Sequence, residues 1–105
     1  MAAVSIPYHD PWVVARWAFS RLLERASGAL SADEDKRVLE QAVALDGLHF
    51  DLLEDDQARR VAQAMQAAAE QLRLELLVAD PADPRDTEFA AALAVLEMHL
   101  HDVQE

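Results

Sequence analysis

The sequence predicts an all-α protein, a compact antiparallel four-helix bundle in up-down-up-down order or a close variant, with its third helix the longest. Three observations predict it. The breaks along the chain carry recognisable helix-end residues, the stretches between them repeat apolar residues at helical spacing, and the connections are short enough to make sequential helices antiparallel neighbours. With 105 residues and a hydrophobic fraction of 52%, the chain is large enough for one domain with one core.

Each element has its own justification. Residues 1–9 form an N-terminal arm. Asp10-Pro11 reads as an N-cap followed by proline at the first helical position, and Gly28 as a left-handed stop, which bounds a first helix over 11–27. Ser31 and Glu34 have the spacing of a capping box that opens a second helix over 32–46, closed by Gly47. The acid-rich run Asp51 to Glu54 starts a third helix over 52–78, where Ala58, Val61, Met65, Ala68, Leu72 and Leu76 form a single stripe. Unbroken, that helix is about 40 Å long, so residues Leu74 to Ala79 either unwind or overhang the bundle. Asp83-Pro84 repeats the cap-then-proline device and opens a fourth helix over 84–103, with Phe89, Leu93, Leu96 and Leu100 facing the core.

Composition excludes several classes of function. The 20 acidic residues against 9 basic ones give a formal charge of −11, which repels phosphate and argues against direct nucleic-acid binding. The chain contains no cysteine, so thiolate chemistry and disulfides are excluded. No signal peptide is expected from residues 1–10, and no apolar run reaches the length that spans a bilayer, so the expected setting is the cytoplasm without membrane association. A strong preference for Arg over Lys, together with Ala at about a fifth of the chain, suggests a bacterial origin.

No catalytic, cofactor or metal motif stands out, and no cofactor or enzymatic activity is expected. Two isolated glycines cannot build a phosphate loop, and the Glu-x-x-His pattern of carboxylate-bridged metal bundles is absent. His99 and His101 are two residues apart and diverge by about 200° on a helix. Glu97 with His101, and His99 with Asp102, share faces near a helix end, which makes at most a weak metal site. Solvated polar positions are the plainer reading.

The residue outside the pattern is Trp17. It points about 180° from the face formed by Trp12, Ala15, Phe19, Leu22, Leu23 and Ala26, and lies among Val13, Arg16 and Arg21. Either the arm or the overhang of the third helix covers it, or it anchors a protein interface, where tryptophan is enriched. The fourth helix has a second apolar side, Ala91, Val95 and Met98, which implies a central position or a partner, with a homodimer among the possibilities.

These features point to a small acidic, non-enzymatic module that binds a basic protein partner, resembling in general character the small inhibitors, antitoxins and immunity proteins of bacteria. Trp17, Val13, Arg16 and Arg21, with Asp33, Asp35, Asp55 and Asp56, are its candidate contact residues. The alternative is a self-associating structural or regulatory bundle that uses Ala91, Val95 and Met98. A small-molecule or metal-binding bundle is a further alternative, opposed by the Ala-rich core. Eleven acids fall at predicted helix starts, where they favour the helix dipole. Up-down order then predicts two acidic poles and a near-neutral waist that carries Trp17.

Overall fold

A mixed sheet opens the structure, which corrects the all-α expectation. The computed structural model describes residues 1–7, 9–78 and 84–104. Ala2–Ser5 (β1) pairs antiparallel with Trp12–Val14 (β2), Ala3 opposite Val13, and parallel with Gly47–His49 (β3), Val4 opposite Leu48. The order is β2-β1-β3, so the arm is the central strand. Between β2 and β3 run two helices, Arg16–Gly28 (α1) and Asp33–Leu45 (α2). After β3 come a 3-10 turn at Phe50–Leu52, then Asp55–Val78 (α3) and Pro84–Gln104 (α4).

Alternation explains the strands. Ala2, Val4 and Ile6 are buried while Ala3 and Ser5 between them are half-buried, and Trp12 and Val14 are buried on either side of exposed Val13. A period of two puts one face of the sheet on the helices. Trp12-Val13-Val14 combines an aromatic with two β-branched residues, which fit a pleated, half-buried surface better than the first turn of a helix. Asp10-Pro11 therefore lies in the β1–β2 connection, and α1 begins five residues later, behind an extended Ala15 with no side-chain cap. Trp12 is a core residue as expected, but from a strand, where its indole Nε1 donates to the Ala92 carbonyl at 2.8 Å.

Helix ends differ from the expectation in three places. Gly28 is the last residue of α1 and has no positive φ; the amides of Ala29 and Leu30 close the end by donating to Ala26 and Ser27. The Ser31–Glu34 box does not form, because the N-cap of α2 is Ala32, one residue after Ser31, without a side-chain bond. At the other end of α2 the left-handed residue is Asp46 (φ 54°, ψ 33°), not Gly47, which instead begins β3. Asp is among the few residues that tolerate this conformation. Its carboxylate accepts from Arg16 at 2.8 Å and its carbonyl accepts from the Ala3 amide at 3.1 Å. One residue thus ties the end of α2 to the start of α1 and to β1.

The two long helices follow the predicted stripes. Ala58, Val61, Met65, Ala68, Leu72 and Leu76 of α3 and Phe89, Leu93, Leu96 and Leu100 of α4 are all buried. Gln66 meets Gln104 and Arg73 meets Glu97, so numbers rise along one helix as they fall along the other, and the pair is antiparallel. The 24 residues of α3 run unbroken, about 36 Å, to an end where Leu76 is buried but Leu74, Leu77 and Val78 are exposed. Helix α3 starts at Asp55 rather than 52, the preceding residues forming the 3-10 turn, and the Glu54 carbonyl accepts the Ala58 amide. Ala79, the far end of the expected overhang, and the expected cap at Asp83 lie outside the described residues.

Candidate protein-binding surface

Asp35 organises the acidic part of the surface from below it. It falls in phase with Leu39 and Ala42 on the buried side of α2 and is only 1% exposed. Arg60 reaches it from α3 with two bonds, Nε to Oδ2 at 2.8 Å and Nη2 to Oδ1 at 3.1 Å, and the Gln57 amide donates at 3.2 Å. A carboxylate removed from water needs this degree of satisfaction. The bond from Arg60 holds the Asp35 carboxyl below its ordinary value, with burial pushing against it and Gln57 adding to the lowering. Arg60 is in turn raised, first by that bond and also by Asp35, Glu34 and Asp56 nearby. Asp35 is therefore a structural carboxylate, not a residue that a partner can touch.

The same pair overturns the expected distribution of charge. Asp35 stands near the start of α2, and Gln57 and Arg60 near the start of α3, so two consecutive helices begin in the same place instead of at opposite poles. Asp33, Asp55 and Asp56, all exposed, are consequently gathered around one region. Other cations are engaged inside the chain: Arg25 with Glu75 at 2.9 Å, Arg73 with Glu97 at 2.7 Å, and Arg59 with Asp56 at 3.9 Å. The Arg25 contact lowers the Glu75 carboxyl, and Glu97 raises Arg73.

Beside these helix starts an open cleft of about 700 Å³ lies between the β1–β2 connection, the 3-10 turn, α3 and the end of α4. Asp51, Asp55 and Asp102 line it with apolar Phe50, Leu53 and Val103. At one edge His9 Nε2 lies 2.6 Å from Asp102 Oδ2, and the His9 ring stacks on His99 with centroids 4.1 Å apart and planes 18° from parallel. His9 and Asp102 are 93 positions apart, so no local pattern announces their contact. His99 is accordingly not the solvated residue expected, and its Nδ1 is buried without a hydrogen-bond partner. No group of three or more His, Cys, Asp or Glu among the described residues is placed to hold a metal ion.

Trp17 occupies a different place. It remains 43% exposed and meets Phe89 of α4 edge-on, with centroids 5.4 Å apart and planes at 79°. Neither the arm, which is a strand, nor the end of α3 buries it. With Met1, Val13 and Phe89 it lines a second cleft of about 400 Å³, rimmed by Arg85 and Glu88. Arg16, mostly exposed, is held by Asp46, and Arg21 is exposed on α1. Phe89 and Asp102 are 13 residues apart on one helix, which separates the tryptophan from the acidic cleft by about 20 Å.

The second side of α4 is also open. Ala91, Val95 and Met98 are exposed, Met98 to 70%, so α4 is not enclosed by the chain's own elements. Searches against protein-family models, curated proteins and solved structures find no significant match.

Proposed function

We propose that this chain is a small non-enzymatic module that binds a basic protein partner, in the manner of inhibitors, antitoxins and immunity proteins, within a bacterial cytoplasm. The observation that carries the proposal is Trp17, presented at 43% exposure in a cleft and packed nearly perpendicular to the Phe89 ring. A fixed aromatic anchor loses little conformational entropy on binding, which is why such residues concentrate binding energy. The acids around the joined starts of α2 and α3 supply the field that attracts and orients a cationic surface. With a formal charge of −11, the chain is unsuited to nucleic acid. No helix among the described residues is long and apolar enough to cross a membrane.

Affinity capture from the producing cell tests this reading. The partner retained should be basic, should be released by salt, and should be lost from Trp17→Ala. Retention that is indifferent both to salt and to that substitution contradicts the proposal.

A second reading, self-association, is favoured by one observation. Ala91, Val95 and Met98 expose an apolar side of α4 while Leu93 and Leu96 fill the core behind it. Two copies would cover this side, although like net charges oppose their approach. A mass in solution that rises with concentration, and stays monomeric in Val95→Glu with Met98→Glu, supports a homodimer. A concentration-independent monomer removes it.

A further inference from the structure

The 700 Å³ cleft sets the exposed carboxylates of Asp51, Asp55 and Asp102 beside buried Phe50 and half-buried Leu53 and Val103. Resting on the reading of a basic partner, we infer that this cleft is where the partner inserts an arginine or lysine side chain, arginine fitting best. Three properties of the cleft select that occupant.

The first is the pairing of surface types. Phe50, which is buried, and half-buried Leu53 and Val103 offer apolar contact for a long aliphatic stem, and the exposed carboxylates offer partners for its cationic head. An uncharged apolar ligand would leave the acids desolvated and unpaired, whereas an anion would be repelled. A guanidinium matches both parts and can donate two parallel bonds to one carboxylate.

The second is the local balance of charge. Among the described residues, Arg59 is the one Lys or Arg side chain that lines the cleft, and it pairs with Asp56 at 3.9 Å, outside the lining. Asp51 and Asp55 make no ion pair among the described residues. The excess of negative charge is therefore local to the cleft, and not merely a property of the whole chain. The Trp17 cleft has no such excess, since Glu88 is matched there by Arg85.

The third is an internal example. His9 already places a ring nitrogen 2.6 Å from Asp102 at the edge of the cleft and keeps it there by stacking on His99. The carboxylate rim thus accepts a planar nitrogen group supplied by the chain itself. Asp51 and Asp55 remain open for one supplied by the partner.

A hexa-arginine peptide is a sufficient probe, followed by amide chemical-shift mapping on the full chain. Shifts are expected at Phe50 to Asp55, Asp102 and Val103, and a hexa-glutamate peptide should produce none. The double variant Asp51→Asn with Asp55→Asn should weaken the peptide about tenfold. Glu24→Gln with Glu40→Gln, which removes the same charge from exposed positions outside the acidic region, should weaken it less than about twofold. Arg59→Gln should tighten binding, a gain that a misfolded variant could not give. Shifts scattered over the surface, equal weakening by the two double variants, or no tightening with Arg59→Gln would overturn the inference. If Trp17→Ala releases the captured partner but Asp51→Asn with Asp55→Asn does not, the cleft is excluded and the basic-partner reading stands. Capture indifferent both to salt and to Trp17→Ala removes both.

Discussion

Arg60 grips Asp35 with two hydrogen bonds, at 2.8 and 3.1 Å, joining the starts of α2 and α3 through a carboxylate that solvent scarcely reaches. Because the contact couples two helix ends, its loss should be felt in stability before it is felt in binding. Arg60 itself is 48% exposed, so a freed guanidinium can be hydrated, and the cost falls below that of breaking a wholly buried pair. Asp35→Asn should destabilise the fold by about 1–3 kcal/mol at neutral pH, measured by urea unfolding.

The same carboxylate predicts a dependence on pH. Its folded value is depressed below the ordinary 3.8, so its stabilisation is fully present above that value and is lost as pH falls through the lower, folded one. Wild type and Asp35→Asn should therefore differ most near neutrality and converge as pH falls through the lowered, folded value. A gap that persists unchanged into acid would show that ionisation of Asp35 contributes nothing.

Gly28 offers a test of the helix ends. It has no positive φ, and a Cβ added there meets no atom within 4 Å. Gly28→Ala should stabilise the protein by about 0.4–1 kcal/mol, since it restricts the unfolded chain without strain. Were the residue left-handed, as the sequence suggests, the substitution would destabilise.

The two tryptophans should separate by fluorescence quenching. Trp12 is 6% exposed and bonded to the Ala92 carbonyl, and Trp17 is 43% exposed. Acrylamide should quench one emitting population readily and the other poorly, and Trp17→Phe should leave only the protected one. Equal quenching in wild type contradicts the burial of Trp12 between β2 and α4.

What could be read in the sequence and what could not follows from the range of each signal. The stripes of α3 and α4 were legible because more than five helical turns repeat one period, and Pro84 marked the start of α4. Strands of three or four residues carry too little repetition, and Trp12 also falls in phase with the apolar face that Phe19, Leu22 and Leu23 form on a helix. The alternation of Ala2, Val4 and Ile6 was the available clue. Asp35 was also visible in principle, because its spacing to Leu39 and Ala42 places it on a core face. Its partner Arg60 and the contact of His9 with Asp102 were not, since side chains far apart in sequence meet only after the backbone has folded. Helical phase showed that Trp17 points away from the core face, but not whether it stays exposed, nor its contact with Phe89 or its distance from the acids.

Binding of a basic partner through charge and a tryptophan anchor is tested most directly by measuring affinity for the captured partner across ionic strength, with wild type and Trp17→Ala side by side. Raising salt from about 50 to about 500 mM should weaken wild-type binding by about tenfold or more, and Trp17→Ala should weaken it further at every salt concentration. An affinity unchanged by salt and by Trp17→Ala would contradict it.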